Sequence, residues 1–536
     1  MALIYRSILM EKSSARYTDY DFLKKIDPRF WAVMISASLW GLFAHGIVLF
    51  NKYSWHDDTQ LFGIGGTFSL GRWFLEIIGI FVSKVFNSGH FSTPSINGIF
   101  SIFCVALISY ILIRLFKIRR ISFVVLITGL MVVFPSLTAT FGYMFTAPYY
   151  MFAMLMAVYG AYLLASRPKW YTFGIGVILI GSSIGIYQAY IPVAITVMLF
   201  CFMVRLDEED MSLKDFLLYG IYLIFACIAF MGFYAIMNKV CVELAGTFLG
   251  TYQGINEAGK EGMGVYLSRL KFAYKYYLVP GRLGQDGVWD NMYPWAVLSF
   301  YYLQMALSVL LIAVKIYRLL KEKKVLKAVE TLFLIAFIPL ATNFIFIMTP
   351  LYSVYALTTY AEAMQFVFFA YLADSFTFPK EKLGKIRPVR LVAVLELVLL
   401  LLTSVTYARY DGACYRKAEI TQTRAISYFN DMIAAIKSTE GYKDEYPVAF
   451  INPNQIQDKT MREIGELNAL NISPYFGTDG LLNNYVWGNF LNIWCAYKPD
   501  QADPGQFVDL PEVTSMPHYP DQGSIKVVNE TVVVKF

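Results

Sequence analysis

Charged residues are scarce in this chain. Only 16% of its 536 residues are charged, whereas 57% are hydrophobic and 17% are aromatic, and the mean hydropathy is +0.50. Soluble globular domains carry about 25% charged residues. The composition therefore excludes an ordinary soluble enzyme and predicts an α-helical polytopic membrane protein.

Several motifs of common enzyme classes are also absent. The sequence contains no Walker loop, no G-x-G-x-x-G motif and no H-E-x-x-H motif, so we expect no coupling to ATP and no cofactor. The six cysteines form no C-x-x-C pair, which argues against metal binding through sulfur. Cys414 and Cys495 could form a disulfide in an outward-facing tail, and two separate thiols are the alternative.

Basic residues stand mostly in short runs between apolar stretches. The net charge is +6, but this distribution indicates a membrane-topology signal rather than a nucleic-acid surface, and we predict no nucleic-acid partner. Residues 1–29 carry six Lys and Arg side chains without an apolar core followed by small residues, so we expect no cleavable signal peptide there.

Eleven apolar stretches predict about eleven transmembrane helices. They lie near residues 30–51, 96–116, 121–140, 147–165, 171–187, 191–204, 216–238, 294–314, 329–348, 355–376 and 390–408. The basic segments 117–120, 167–169, 315–327 and 380–390 would then share the cytoplasmic side, together with the acidic segment 205–210. This assignment predicts a cytoplasmic segment 1–29, a membrane module 30–408 and an extracytoplasmic domain 409–536.

Two predicted outer connections, residues 52–95 and 239–293, are too long to be simple loops. Within the first, apolar residues recur at helical spacing between positions 68 and 85, against polar residues that include Glu76, which predicts an amphipathic helix in the membrane interface. The second is again amphipathic in character. Beyond residue 409, strand-like runs such as Val448 to Ile451 and Ile525 to Val534 predict a small α/β domain.

Two adjacent acids follow the first apolar stretch, Asp57 and Asp58. Placing a carboxylate beside a hydrophobic core is costly, so such a pair is a candidate catalytic site in which one acid acts as a general base. The alternative is a solvated pair that caps the following helix. Neighbouring His56 and Trp55 are possible contacts of a sugar or acceptor, or ordinary interfacial residues.

Basic and aromatic side chains in the two outer loops could bind a lipid-linked anionic substrate. The candidates for a donor phosphate are Arg72, Arg269, Lys271, Lys275 and Arg282. Attraction to anionic membrane lipids is the alternative for this basic group. The candidates for sugar or acceptor contacts are Tyr149, Tyr187, Gln188, Trp289 and Glu362. An aromatic belt explains the tyrosines equally well, and Gln304 or Asn343 could be a structural partner of Glu362.

Four short segments resemble one family. They are Trp55 to Asp58, Leu70 to Trp73, Ala147 to Tyr149 and Ile186 to Pro192. Their order and placement are similar to those of GtrII-like bacterial glucosyltransferases of the GT-C superfamily, over roughly residues 30–408. The resemblance implies a bacterial plasma-membrane enzyme whose catalytic acid is Asp57 or Asp58.

The resemblance further implies the substrates. An undecaprenyl-phosphate sugar, with glucose as the expected hexose, would be the donor, and a surface polysaccharide or glycolipid would be the acceptor. The transfer would invert the anomeric carbon without a metal ion. The alternatives are a surface-glycan polymerase or ligase, which tends to use Arg-rich outer loops, and a glycan transporter, which would show paired repeats with charged or broken helices at mid-membrane.

Overall fold

The computed structural model describes residues 27–53, 57, 66–87, 93–166, 169–250, 261–281, 283–285, 288–350, 353–376, 387–453 and 486–536. The longer helices are α1 (Pro28–Phe50), α2 (Trp73–Phe86), α3 (Pro94–Leu115), α4 (Ile121–Val133), α5 (Pro135–Phe141), α6 (Ala147–Ser166), α7 (Trp170–Ile184), α8 (Ile191–Glu208), α9 (Leu213–Leu244), α10 (Met263–Leu278), α11 (Trp295–Lys321), α12 (Val325–Ala336), α13 (Ile338–Thr342), α14 (Ile345–Met348), α15 (Ala363–Ser375), α16 (Arg387–Lys437), α17 (Trp487–Trp494) and α18 (Pro511–Thr514). The strands are β1 (Leu283–Gln285), β2 (Val288–Asp290), β3 (Val448–Ile451), β4 (Ile525–Val528) and β5 (Thr531–Lys535).

Each of the eleven predicted spans contains a helix, and the α-helical membrane fold is confirmed. By length and composition, 8 helices in the described residues can cross a membrane, and α4 with α5 makes a ninth if this pair, bent by 42°, is one span. The two remaining predicted spans are shorter: α7 has 15 residues and α15 has 13. At 1.5 Å per residue neither covers a hydrocarbon core of about 30 Å alone.

Local hydrogen bonds explain why these two helices are short. The carbonyl of Gly185, just after α7, accepts the backbone N–H groups of Phe74 and Leu75 at 2.8 and 3.2 Å. Before α15, the hydroxyls of Thr358 and Thr359 bond to backbone carbonyls three residues earlier. Such bonds compete with helical ones. Irregular segments near 185–190 and 355–362 therefore replace parts of the predicted helices.

The membrane helices form one bundle around α6, which packs against α3, α7 and α8. The long helices α9 and α11 lie at the periphery, because only 28% of the apolar window of each is buried. Between residues 216 and 238, the exposed side chains of α9 are nevertheless apolar, among them Ile221, Phe225 and Ile228. Exposed apolar surface of this extent is typical of a helix that faces lipid.

Ion pairs connect the helix ends at one end of this bundle, here called the basic end. They join segments that the charge pattern predicts to be cytoplasmic: Arg29–Asp27, Arg114–Asp27, Lys117–Glu208, Lys315–Asp207, Lys324–Asp210 and Lys327–Asp210. The acids of segment 205–210 thus act as counter-ions to basic residues of other helices. The opposite end carries residues 51–53 and 66–72 and is here called the loop end.

Helix α16 has 51 residues and continues well past the predicted domain boundary at residue 408. It runs parallel to α1, since His45 contacts Tyr415, and Lys52, just after α1, contacts Gln422, seven residues further along the chain in both cases. It therefore leaves the bundle at the loop end. Its last turns enter the core of the carboxyl-terminal unit.

The carboxyl-terminal unit contains the predicted strands, which form a sheet in the order β3-β5-β4. Strand β5 pairs in parallel with β3 and antiparallel with β4. Asn529 and Glu530 connect β4 to β5 with φ angles of 48° and 58°, as a tight hairpin turn requires. Side chains alternate across β5, so that Val532 and Val534 pack toward α16 and α17 while Val533 packs on the other face.

All six cysteines lie in described residues, and none of them forms a disulfide. Cys414 is buried in the core of the bundle, whereas Cys495 belongs to the core of the carboxyl-terminal unit. The disulfide considered between them does not form, and two separate thiols are present.

Candidate functional site

Asp57 lies at the loop end and is half-buried in a short helical turn. Its loop leaves α1 at Asn51, whose side chain donates to the carbonyl of Ile47 at 2.7 Å. Tyr53, between these residues, is buried, and burial together with the nearby Glu419 carboxylate raises its pKa to about 12. Asp58, Trp55 and His56 lie outside the described residues.

The far end of the same loop is held by Glu76. This side chain is completely buried, and its Oε2 accepts the backbone N–H of Thr67 at 2.8 Å as well as the Thr67 hydroxyl. The predicted amphipathic helix is present as α2. Its apolar residues Ile77 and Phe81 are exposed, whereas Glu76, one of the polar residues of the pattern, is buried. A charged residue within an apolar stretch was the available sign of its importance.

Two segments of the resemblance meet at Gly71. Its carbonyl accepts hydrogen bonds from the Gln188 side chain and from the Tyr234 hydroxyl, both at 3.1 Å. Gln188 also donates to the carbonyl of Leu70 at 3.1 Å. Gly71 has φ of +69°, and a Cβ there would lie 2.7 Å from the Tyr234 hydroxyl. Glycine is therefore required by both backbone conformation and space.

Arg72 follows this turn and contacts two stacked tyrosines. Its Nη1 donates to the hydroxyl of Tyr150 at 3.2 Å, and its guanidinium carbon lies 5.0 Å from the ring centre of Tyr187. The Tyr150 and Tyr187 rings are stacked at 4.4 Å and 8°. Arg72 is half-buried. The structure thus brings together Arg72, Tyr187 and Gln188 of the predicted site, and adds Tyr150 as a candidate contact residue.

The irregular backbone segments converge beside this cluster. Tyr190 lies within electrostatic range of Tyr150, Tyr187 and Tyr360. The hydroxyl of Tyr360 in turn donates to the carbonyl of Met131, just before the bend between α4 and α5. Non-helical backbone at membrane depth is tolerated where it is buried in protein or lines a cavity. A seam of buried tyrosines therefore joins three interruptions of the helical bundle.

Glu362 is fully buried at the start of α15, in a 3-10 turn rather than two turns inside a helix. Its Oε2 accepts the hydroxyl of Tyr293 at 2.8 Å. Burial raises the pKa of Tyr293 well above its ordinary value, so this hydroxyl stays protonated and donates. The suggested partners bond elsewhere: Gln304 to Thr403 and Asn343 to Ala273.

The remaining candidates for phosphate binding make different contacts. Arg269 on α10 is buried and pairs with Glu261 at 2.6 Å. Lys271 and Lys275 are exposed one turn apart on the same helix. Arg282 lies outside the described residues.

Two aromatic candidates have less defined surroundings. Tyr149, at the start of α6, is half-buried. Trp289 lies in β2, where its backbone pairs with Gly284 of β1, and its side chain lies outside what the structure describes. Across the described part of the chain, no three His, Cys, Asp or Glu side chains lie close enough to hold a metal ion.

The fold and the site together define a multi-helix membrane protein that gathers acidic, basic and aromatic side chains at one end of its bundle. The chain belongs to a known enzyme family: the model of the glucosyl transferase GtrII family matches residues 46–369, more than half of its length. It is therefore a glycosyltransferase. No curated protein and no solved structure matches the chain.

The residues matched by the family model cover most of the membrane bundle but not the whole chain. It begins in the last turns of α1 and ends within α15, so it includes Asp57, Arg72, Gln188 and Glu362. Helix α16 and the carboxyl-terminal unit lie beyond it. The family assignment therefore covers the loop end of the bundle but says nothing of the contacts that α16 makes there.

Proposed function

We propose that this glycosyltransferase moves glucose from undecaprenyl-phosphate-glucose to a surface polysaccharide or glycolipid, on the outer face of a bacterial plasma membrane. Two observations carry the proposal: Asp57 is half-buried in the loop that follows α1, and the same connection ends at Arg72, which contacts Tyr150 and Tyr187 close to the bond between Thr67 and Glu76. A carboxylate and a guanidinium at one end of a bundle suit the transfer of a sugar from an anionic lipid.

The chemistry is a single displacement at the anomeric carbon. An acceptor hydroxyl attacks this carbon while the bond to the phosphate oxygen breaks, and the electron pair leaves with undecaprenyl phosphate. Asp57 or Asp58 takes the proton of the attacking hydroxyl. Attack from the side opposite the leaving group inverts the configuration, and no metal ion or nucleotide takes part.

Arg72 stabilises the departing phosphate in this scheme. Its guanidinium is already held by the Tyr150 hydroxyl and the Tyr187 ring, so little conformational freedom is lost when a phosphate binds. Lys271 and Lys275 stand on the exposed face of α10, where they attract anionic head groups. Arg269 is already neutralised by Glu261 and acts as a structural residue that holds the start of α10.

The proposed orientation places the basic end in the cytoplasm. Basic residues favour the cytoplasmic side of membrane proteins, and at this end Lys117, Lys315 and Lys327, from two predicted inner basic segments, pair with acids of a third inner segment, residues 205–210. The loop end and the carboxyl-terminal unit would then face outward, where a donor already carried across the membrane and a surface acceptor are available.

The test uses membranes that contain the native surface polysaccharide, supplied with synthetic undecaprenyl-phosphate-glucose. We expect Asp57→Asn or Asp58→Asn to abolish both the release of undecaprenyl phosphate and the appearance of glucose on the polysaccharide. Asp431→Asn is the matched control, because Asp431 is exposed on α16 away from the bundle. All variants should reach the same amount in the membrane.

The outcomes separate the candidate functions. Full activity in both Asp57→Asn and Asp58→Asn would overturn the proposed base. Transfer of whole repeating units, instead of single glucose residues, would identify a polymerase or ligase in place of the glucosyltransferase that we propose.

A further inference from the structure

Helix α16 links two cores without an intervening loop. Residues up to Ala418 belong to the core of the membrane bundle, and residues from Ala425 onward belong to the core of the carboxyl-terminal unit. Both lie within one continuous helix of 51 residues, about 77 Å long at 1.5 Å per residue. The carboxyl-terminal unit is therefore rigidly attached to the bundle.

One face of this helix contacts α1 and the start of the Asp57 loop. The first contact joins the hydroxyl of Tyr415 to Nδ1 of His45 at 2.8 Å. Nε2 of the same imidazole lies 2.9 Å from the carbonyl of Val132, which can only accept, so Nε2 carries the hydrogen and Nδ1 accepts from Tyr415. This buried bond fixes the register of α16 against α1.

The second contact is made by Gln422, two turns further along. Its side-chain nitrogen donates to the carbonyl of Lys52 at 3.2 Å. Between the two contacts, Tyr53 is buried within electrostatic range of Glu419 and Arg416. The first residues of the loop thus lie against α16 rather than in solvent.

The position of Lys52 makes this contact consequential for Asp57. Residues beyond the last turn of a helix have no helical partner for their carbonyl groups, and Lys52 lies just after the cap of α1. Asp57 follows five residues later, within about 17 Å of extended chain. The bond from Gln422 therefore fixes the backbone five residues before Asp57.

Gln422 also lies three residues before Ala425, whose side chain is fully buried in the core of the carboxyl-terminal unit. We propose that Gln422 is a positioning residue, through which α16 and the carboxyl-terminal unit hold the Asp57 loop in its productive conformation. The role of Gln422 in catalysis rests on the proposed function of Asp57. The contact between Gln422 and Lys52 is independent of that function.

The experiment compares two changes at this position with a neighbouring control. Gln422→Glu keeps the size of the side chain but removes its N–H donors, and Gln422→Ala removes the contact. Thr423→Ala is the matched control, because Thr423 is exposed and its hydroxyl bonds only within α16, to the carbonyl of Glu419 at 2.9 Å. All three are assayed as full-length protein in membranes.

We expect both Gln422 variants to lower kcat for glucose transfer from undecaprenyl-phosphate-glucose by about 10- to 100-fold, since small displacements of catalytic groups have effects of this size. KM for the donor should change by less than about 3-fold, because Arg72 and its tyrosines are untouched. Amide hydrogen exchange should increase in the segment from 50 to 57 and not in α6 or α8. Thr423→Ala should match the wild type in all three measurements.

Wild-type kcat and wild-type exchange in Gln422→Glu would overturn the inference, and so would an increase in exchange over the whole bundle, which would indicate a general loss of stability. A failure of the proposed function would give a different experimental result. If Asp57→Asn and Asp58→Asn were active, the catalytic role of the loop would be wrong, while the exchange measurement would still decide whether Gln422 holds Lys52.

Discussion

Replacement of Gly71 by alanine tests the packing that joins the Arg72 turn to the rest of the site. At φ of +69° a residue with a Cβ is strained by about 1–2 kcal/mol. The new Cβ would also lie 2.7 Å from the Tyr234 hydroxyl and 3.1 Å from Nε2 of Gln188, which must both move. These are the two groups that donate to the Gly71 carbonyl.

The magnitude follows from these contacts. Each neutral hydrogen bond contributes about 0.5–1.5 kcal/mol to stability. With the backbone strain, Gly71→Ala should destabilise the protein by about 2–5 kcal/mol. Gly185→Ala has no backbone strain, but its Cβ would lie 2.4 Å from Nε1 of Trp73, and overpacking of this kind costs about 1–3 kcal/mol.

The assay is thermal unfolding of purified protein in lipid nanodiscs, with glucose transfer measured in parallel. Gly232→Ala in α9 is the control, because a Cβ there meets nothing within 4 Å and alanine favours a helix by up to about 1 kcal/mol over glycine. We expect the lowest melting temperature for Gly71→Ala and a value at or above wild type for Gly232→Ala. Equal melting temperatures for the Gly71 and Gly232 variants would refute the described contact between the Arg72 turn and Gln188.

Two further predictions concern carboxylates outside the membrane-spanning helices. Hydrogen bonds from Arg29 lower the pKa of Asp27, so this carboxylate stabilises the fold above its unfolded-state pKa of about 3.9 and loses that contribution as the pH falls further. Asp27→Asn should therefore destabilise the protein by about 1.5–3 kcal/mol at pH 7, and the difference in melting temperature from wild type should shrink below about pH 4. Glu76→Ala leaves the N–H of Thr67 without its acceptor and should cost about 1–3 kcal/mol and most of the activity, whereas Glu76→Gln keeps an acceptor and should cost less. Identical melting curves and transfer rates for these two Glu76 variants would show that the contact with Thr67 is unimportant.

Much of the fold follows from the length of the apolar stretches and from the positions of the charged residues between them. Apolar stretches of about 20 residues must form helices in lipid because their backbone groups have no other partner. For the same reason the predicted starts and ends of α1, α3 and α6 differ from the observed ones by at most two residues. The strands β3 and β5 were also predictable, because short runs rich in β-branched and aromatic residues between turn residues favour strands.

The site was harder to predict from the sequence, because its contacts join residues that are distant in sequence. Gln188 approaches Gly71 across 117 positions, and Gln422 approaches Lys52 across 370. No spacing rule relates such residues. The packing of α2 was not predictable for a related reason: amphipathic periodicity identifies an apolar face but does not say whether that face meets protein or lipid. In α2, apolar Ile77 and Phe81 are exposed, whereas Glu76 is buried.

The interruptions of the helices give an independent argument for the location of the site. Each break in a membrane helix leaves backbone groups that need new partners, so a bundle that served only as an anchor would have no use for three of them in one place. Here the bend at Pro135 and the irregular segments at 185–190 and 355–362 converge around Tyr360. The freed carbonyl of Gly185 accepts N–H groups at the start of α2, and the freed carbonyl of Met131 accepts the Tyr360 hydroxyl. Departures from regular structure persist where function requires them, and the end that carries Asp57 is where this chain concentrates them.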